Sequence, residues 1–330
     1  MRYKKAVFIM ILLQPFYLLC LYCLVFFGQI FYMHIEYPQY THQKQKTAQT
    51  HNVDIVIIGN SRAKSGFIPN EIKDSSSINL GVGGSSPIIG FYTLKRYLEN
   101  NKPPKVVVLS YSADFLIDPA EYFWQGGVKT KFLDFNEIFS VLEKARELKD
   151  CMPFEKSGGG CEKIDVYKYF LDLRNFGEEL TTINITLRRY RTNKQILIEL
   201  DESKGHFYYG REKAANGNFS EVSLKDFSVS PLASYYLHEI ASLAKQHGII
   251  VAMYAMPINI HSFQHLNPRF LQNYNNFYDT LQTQYGIVAL NKLYAMPNEA
   301  FGDHSHLYAG AKEVTWDIYD KLIAKNLLKQ

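Results

Sequence analysis

A serine lies where a nucleophile could be held, directly after a run rich in β-branched residues. The run covers residues 53–58 and ends at Gly59, and Asn60, Ser61 and Arg62 follow it. A serine at the turn from a strand to a helix exposes its hydroxyl, and nearby backbone N–H groups are free to bind an oxyanion. The same residues also make an ordinary turn, so Ser61 alone does not predict a reaction. Arg62 could bind an acidic group of a substrate or pair with a carboxylate of the protein.

Two other segments carry groups that would complete a site for acyl chemistry. Residues 81–86 read Gly-Val-Gly-Gly-Ser-Ser, and their glycines would let the backbone approach a substrate and offer amide donors, although a tight turn needs them as well. Asp303 precedes His306 by three residues. A carboxylate so placed can fix the tautomer of the imidazole and stabilise the imidazolium that forms when the ring takes a serine proton. An isolated pair of this kind is usually part of a solvated loop.

Sites for a metal, a cofactor or a nucleic acid are not indicated. Asp303, His304 and His306 could ligate a metal ion, but no fourth ligand cluster stands out, and we expect neither a metal nor a cofactor. The 36 Lys and Arg against 32 Asp and Glu give a net charge of +4, and the one dense basic stretch is residues 188–194. Because nucleic-acid binding needs clustered basic residues, we expect none. Four cysteines without zinc-type spacing exclude a zinc-finger module and a disulfide scaffold.

The elements that must position these groups alternate between strands and helices. Short apolar runs typical of strands buried on both faces occur at 53–58, 78–81, 106–109, 249–253 and 287–290. Apolar residues at helical spacing predict helices over 87–100, 232–246, 270–285 and 309–328. This alternation predicts a parallel α/β sheet with right-handed crossovers. Ligands bind such sheets at the carboxyl ends of the strands, where the three candidate segments would lie.

The chain divides into an anchor, a stalk and one globular domain. Residues 36–52 are polar and predict a stalk, and residues 53–330 form the domain. With 47% hydrophobic and 21% charged residues, the chain is neither disordered nor a coiled coil. From about 118 to 230 the strand–helix alternation stops, and the sequence is charged and rich in Tyr and Phe. We interpret this stretch as one long insertion, partly helical, that packs beside the sheet.

The first 35 residues predict a membrane anchor. Three basic residues precede an apolar run over 6–27, which at about 1.5 Å per residue crosses a hydrocarbon core of about 30 Å. A cleaved signal peptide is the alternative, but its apolar region is only about 7–15 residues long and ends at small residues, whereas bulky aromatic residues stand here. The basic residues predict a cytoplasmic N-terminus, residues 6–32 in the inner (cytoplasmic) membrane, and a domain on the extracytoplasmic side, periplasmic or at the cell surface.

Two cysteines would lie in that oxidising compartment. Cys151 and Cys161 flank the flexible stretch 157–160, which reads Ser-Gly-Gly-Gly. A disulfide that closes this loop would contribute roughly 2–3 kcal/mol in the chain-entropy model. We expect the disulfide, and two free thiols in an insertion are the alternative.

The order of these segments resembles that of the SGNH/GDSL hydrolase family over about residues 53–117 and 232–330. The matching features are the serine after the first strand, the glycine loop after the next strand, and Asp-x-x-His before the last helix. The resemblance implies a three-layer α/β domain in which Ser61 is the nucleophile, His306 the general base within hydrogen-bond reach of it, and Asp303 the residue that orients the base. It also implies an oxyanion hole made by the amide of Ser61 and a glycine donor, Gly83 or Gly84.

Two segments depart from the pattern of that family. The first reads Gly-Asn-Ser-Arg where the family usually has Gly-Asp-Ser, and this change keeps the nucleophile. After residues 106–109 the family supplies an asparagine to the oxyanion hole, but here the sequence reads Ser110-Tyr111-Ser112. Ser112 or Tyr111 could take its place as the third donor. Loss of one such donor can cost about 3–4 kcal/mol in the transition state.

With the anchor and the insertion, the chain resembles the extracytoplasmic proteins of envelope-polymer O-acylation systems, such as alginate and peptidoglycan O-acetylation and D-alanyl-lipoteichoic-acid transfer. The resemblance implies a serine O-acyltransferase or esterase that acts on an acylated cell-envelope glycan, with a membrane-bound O-acyltransferase as a partner. Transfer and hydrolysis would use the same residues, and water exclusion would decide between them. The alternative is a non-catalytic scaffold with the SGNH fold that recruits a polymer or the membrane-bound O-acyltransferase.

Overall fold

The computed structural model describes residues 2–34, 36–172, 175, 187–212 and 214–328, and these form an α/β structure with a central parallel sheet. The predicted apolar N-terminal helix is confirmed as α1, Arg2–Phe27. Its stretch Tyr3–Leu24 has 22 residues and a mean hydropathy of 2.3, and its most apolar window is not buried against the rest of the protein. At about 1.5 Å per residue this helix is long and apolar enough to cross a membrane.

The sheet contains the five strands that the sequence predicts. In chain order, the strands of the protein are β1 (Ile55–Gly59), β2 (Ser77–Asn79), β3 (Val106–Ser110), β4 (Ile250–Met253), β5 (Ile258–Asn259), β6 (Val288–Ala289) and β7 (Ala295–Met296). The main sheet has the order β2-β1-β3-β4-β6, and all its pairs are parallel. Every residue of the central strands β1 and β3 is buried, which explains their continuous apolar runs. Strands β5 and β7 form a small second sheet that the sequence did not predict.

Helices connect the strands and cover both faces of the sheet. After α1 they are α2 (Glu36–Ala48), α3 (Ser61–Gly66), α4 (Pro87–Asn100), α5 (Ala113–Ile117), α6 (Phe135–Glu147), α7 (Met152–Lys156), α8 (Lys163–Leu171), α9 (Leu187–Glu202), α10 (Pro231–Gln246), α11 (Ile260–Gln264), α12 (Pro268–Tyr285) and α13 (Ala311–Ala324). Strand β2 lies on one side of β1, whereas β3, β4 and β6 follow one another on the other side, so the first crossover runs in the opposite direction to the later ones. Right-handed crossovers therefore place α3 on one face and α4, α10 and α12 on the other. Helix α13 packs against α3.

The strand register brings several loops to one edge of the sheet. Gly59 at the end of β1 pairs with Ser110 at the end of β3, and Leu109 pairs with Met253 at the end of β4. A Cβ on Gly59 would lie 2.0 Å from the carbonyl oxygen of Ser110, so only glycine fits between these strand ends. The segments that follow β1, β2 and β3 therefore leave the sheet side by side, at the carboxyl edge where ligands bind in such folds.

Residues 36–52 are not a polar stalk, and that prediction is wrong. Most of the segment is helix α2, which packs against α4 and α9. The polar residues on its inner face are buried: Gln39, His42, Gln43 and Thr47. The amide of Gln43 shows why burial is possible, because its Nε2 donates to the carbonyl oxygen of Leu80 and to Thr93 Oγ1 at 2.9 Å. A hydrogen-bonded amide can be buried, whereas composition alone places it in solvent.

The insertion forms a second apolar core beside the sheet. Its helices α6, α7 and α8 and the π-helical turn Phe123–Val128 enclose the fully buried Trp124. This core is continuous with Ile88 and Ile89 of α4 and with Leu232 of α10, so the insertion packs on the face of the sheet that carries those helices. In the structure Cys151 and Cys161 form a disulfide that closes the short loop around α7.

Candidate active site

Ser61 is the first residue of α3, directly beyond the carboxyl end of β1. Asn60 caps the helix, since its side-chain oxygen accepts from the backbone N–H of Arg62 at 3.1 Å. Ser61 is half-buried. Its hydroxyl makes no hydrogen bond with any residue that the structure describes. The local sequence therefore presents this hydroxyl at the edge of the sheet without a competing partner.

The glycine loop after β2 lies against the first turn of α3. The backbone N–H of Val82 donates to the carbonyl oxygen of Gly59 at 3.0 Å. A Cβ on Gly81 would lie 3.2 Å from the carbonyl oxygen of Asn60, so the two segments are in close contact. Gly84 adopts φ +67, and the ring of Tyr122 occupies the space where its Cβ would be, so this position needs glycine. The loop is thus held next to Ser61.

Asp303 and His306 form a hydrogen-bonded pair. Nδ1 of the imidazole lies 2.9 and 3.0 Å from the two carboxylate oxygens of Asp303. The carboxylate also accepts from the backbone N–H groups of Ser305 at 2.7 Å and His306 at 2.8 Å. Burial raises the pKa of Asp303, but the hydrogen bonds from His306 and the backbone outweigh it and leave the pKa below its ordinary value. A carboxylate at Nδ1 keeps the proton there and leaves Nε2 as the basic nitrogen.

The insertion connects this pair to α3 and to the glycine loop. The backbone N–H of Phe207 donates to the carbonyl oxygen of Lys64 at 3.3 Å, and the backbone N–H of Glu212 donates to the carbonyl oxygen of Gly302 at 3.1 Å. Between these contacts the ring of Tyr209 stacks on the imidazole of His306, with centroids 4.2 Å apart and planes inclined by 24°. Tyr209 was not predicted as a site residue, because no local sequence pattern around it indicates a site.

Hydrogen bonds to Gln39 of α2 connect the Tyr209 hydroxyl to the glycine loop. The hydroxyl donates to Gln39 Oε1 at 2.6 Å, and the same oxygen accepts from the backbone N–H of Gly83 at 3.1 Å. Gly83 is further held by Tyr40, whose hydroxyl donates to its carbonyl oxygen at 3.0 Å. A continuous series of contacts therefore runs from His306 through Tyr209 and Gln39 to Gly83. Gln39 lies in the segment that the sequence predicts as a stalk.

The structure does not contain the expected hydrogen bond between Ser61 and His306. No hydrogen bond joins these two residues within the described part of the chain. Ser61 lies next to the glycine loop, and Tyr209 and Gln39 connect His306 to the same loop. In serine hydrolases the bond between serine and histidine is often long or poorly aligned before substrate binds. The arrangement therefore has an oriented base and an unpaired hydroxyl, but not a closed triad.

The substrate-binding role suggested for Arg62 is wrong in this structure, which supports the other interpretation. Its guanidinium forms a two-point ion pair with Glu221, with N–O distances of 2.5 and 2.8 Å. The side chains are 7% and 1% exposed, and the guanidinium lies 4.7 Å from the centre of the Phe219 ring. Arg62 thus joins α3 to the insertion and does not face a substrate.

Neither suggested replacement for the third oxyanion donor faces the site. Ser112 Oγ accepts from Asn60 Nδ2 at 2.6 Å and gives its own proton to the carboxylate of Asp114. The hydroxyl of Tyr111 lies against Gly90 of α4, inside the core. The expectation that Ser112 or Tyr111 completes the hole is therefore corrected, because their donors are used or buried elsewhere. The backbone N–H groups of Ser61 and Gly84 have no acceptor among the described residues.

Lys64 is a further ionisable group beside Ser61, and it was not among the residues predicted for the site. It is fully buried three residues after Ser61, on the same short helix, and its Nζ donates to the carbonyl oxygen of Gly81 at 2.6 Å. Burial lowers the pKa of Lys64 to about 7. The side chain ties the glycine loop to α3, and the spacing Ser-x-x-Lys was the signal that could have identified it.

The arrangement can support acyl chemistry at a serine. It offers a hydroxyl at a strand end, an imidazole oriented by a carboxylate, and amide donors in a loop between them. Within the described ranges, no group of three or more His, Cys, Asp or Glu side chains is placed to hold a metal ion, and His304 is exposed with its Cβ against Gly217. No protein-family model matches the chain, and a search of the curated proteins finds no match.

Proposed function

We propose that the protein is a membrane-anchored, extracytoplasmic serine O-acyltransferase or esterase that acts on an acylated cell-envelope glycan. The observation that carries the proposal is the hydrogen-bonded Asp303–His306 pair, which Tyr209 and Gln39 connect to the glycine loop next to Ser61. The hydroxyl of Ser61 has no hydrogen-bond partner among the residues that the structure describes. The resemblance of these segments to the SGNH/GDSL hydrolases supports the same function. The place of Ser61 and the glycine loop at the carboxyl edge of a parallel sheet supports it as well.

In the proposed reaction His306 acts first as a base and then as an acid. Asp303 holds the ring proton at Nδ1, so Nε2 accepts the proton of Ser61 while Oγ attacks the acyl carbonyl carbon. The tetrahedral intermediate collapses when the C–O bond of the ester breaks and the imidazolium returns its proton to the departing alcohol. A sugar hydroxyl or water then attacks the acyl-serine with the same proton transfers, and Ser61 is regenerated.

The proposed location follows from α1. This helix is apolar enough to span a bilayer, and Lys4 and Lys5 precede its core. Short basic segments of this kind stay on the cytoplasmic side, which would place the sheet domain outside the cytoplasm, next to envelope polymers. A membrane-bound O-acyltransferase that delivers the acyl group is the partner that such a position favours, and transfer would then dominate over hydrolysis where the acceptor excludes water.

Labelling of Ser61 with a fluorophosphonate, together with hydrolysis of p-nitrophenyl acetate, tests the proposal. Ser61→Ala should abolish labelling and turnover, and His306→Ala should lower both by at least about a hundredfold. His304→Ala is the matched control, because this neighbouring imidazole is exposed and should be dispensable. If the full-length protein is never labelled at Ser61, or if His306→Ala reacts as fast as the native protein, the non-catalytic scaffold becomes the better description.

A further inference from the structure

The carboxamide oxygen of Gln39 binds a donor of the glycine loop and a donor of the insertion beside the proposed base. The side chain of Gln39 comes from α2 and the residue is 1% exposed. The carboxamide oxygen accepts two hydrogen bonds, from Gly83 N–H at 3.1 Å and from the Tyr209 hydroxyl at 2.6 Å. A backbone amide of a glycine loop and a second donor that converge on one carbonyl oxygen are the components of an oxyanion hole.

The other end of the carboxamide is poorly matched to its surroundings. Nε2 of Gln39 is buried and has no hydrogen-bond partner among the residues that the structure describes. Buried donors without acceptors are unfavourable, so the oxygen rather than the NH₂ group holds this side chain in place. A ligand that brings a carbonyl oxygen but no NH₂ group would satisfy both donors and leave no unpaired donor behind. The site therefore fits the carbonyl of an ester better than it fits the amide that fills it.

The second donor stands next to the proposed base. The ring of Tyr209 stacks on that of His306 at 4.2 Å, which fixes the direction of the phenol between the imidazole and the glycine loop. Burial raises the pKa of Tyr209 well above its ordinary value, so the phenol keeps its proton and remains a donor. This donor comes from the insertion, at a site where neither Ser112 nor Tyr111 supplies one.

We infer that Gly83 N–H and Tyr209 O–H form the binding site for the carbonyl oxygen of an acyl ester, and that Gln39 fills this site as an internal mimic that must withdraw before the ester binds. The inference rests on the proposed function and adds to it a catalytic donor, Tyr209, and a means of control. Helix α2 follows the membrane helix α1 in the chain. Because Gln39 belongs to α2, a displacement of α2 away from the glycine loop would break both hydrogen bonds and open the site.

The test compares the rate of Ser61 modification by a fluorophosphonate in full-length variants in detergent. Gln39→Ala should react about tenfold faster or more, because an internal acceptor no longer competes for two donors. Gln39→Glu should stay slow, since its carboxylate also accepts from both donors. Gln43→Ala is the matched control, a buried glutamine one turn further along α2 that bonds to Leu80 and Thr93, and its rate should not change.

A second comparison isolates the donor. In the Gln39→Ala background, Tyr209→Phe keeps the ring that stacks on His306 but removes the hydroxyl. It should lower kcat for p-nitrophenyl acetate about a hundredfold with little change in KM, as loss of a transition-state donor does. Tyr208→Phe, which alters the neighbouring ring that packs on Tyr308, should leave kcat unchanged.

Hydrogen exchange at the Gly83 amide separates failure of this inference from failure of the proposed function. The amide should exchange slowly in the native protein and much faster in Gln39→Ala. Equal exchange in both proteins, or equal Ser61 reactivity in the native protein, Gln39→Ala and Gln39→Glu, would overturn the inference. If Ser61 reacts in none of the proteins, the proposed function fails, and the exchange result alone still decides whether Gln39 fills the site.

Discussion

Removal of one partner of the ion pair between Arg62 and Glu221 should strongly destabilise the protein around the site. The two N–O contacts of the pair are 2.5 and 2.8 Å, and the side chains are 7% and 1% exposed. Removing one partner of such a pair leaves a buried charge uncompensated, which costs about 3–5 kcal/mol. We expect Glu221→Gln to lower the free energy of unfolding by this amount. Because Arg62 is adjacent to Ser61, the variant should also slow the labelling of Ser61.

Urea denaturation of the full-length protein in detergent measures the effect through tryptophan fluorescence, to which the fully buried Trp124 and the exposed Trp316 contribute. The double variant Arg62→Met/Glu221→Met should recover much of the loss, because apolar side chains of similar size replace buried ion pairs at little cost. A loss below about 1 kcal/mol for Glu221→Gln would refute the reasoning, since that is the range of exposed ion pairs. An Arg62→Met variant with raised KM and unchanged stability would restore the substrate-binding role.

The remaining predictions concern Lys64, the disulfide and the anchor. Burial lowers the pKa of Lys64 from 10.5 to about 7 in the folded protein. Between these two values the unfolded chain binds more protons than the folded protein, so the free energy of unfolding should rise with pH. Lys64→Met should reduce this rise, measured by urea titrations at about pH 7 and about pH 9. Replacement of Cys151 and Cys161 by serine should lower the free energy of unfolding by about 2–3 kcal/mol. It should leave the labelling of Ser61 unchanged, because the disulfide lies in the core of the insertion. Free thiols at both positions in unreduced peptides would contradict the bond. A phosphatase fused after Gln330 should be active only outside the cytoplasm, and an N-terminus found beyond Tyr32 would show that the helix is cleaved.

Much of the fold could be predicted because its signals are local. The strands β1 and β3 are continuous runs of apolar residues since both of their faces are buried, and the helices between strands carry apolar residues at helical spacing. The Asp303–His306 pair could be predicted for the same reason, because a separation of three residues allows the carboxylate to reach the ring within one turn of the chain. The apolar helix α1 follows from composition and length alone.

Only the tertiary structure decided which polar side chains are buried and what they contact. Gln39 was assigned to a stalk, Tyr209 to an insertion without a role, and Arg62 to either a substrate or a carboxylate. Their partners Gly83, His306 and Glu221 lie 44, 97 and 159 positions away along the chain (83 minus 39, 306 minus 209, 221 minus 62). A polar side chain is stable in the interior only when a distant group supplies its hydrogen bonds, so its place depends on contacts that no local pattern contains.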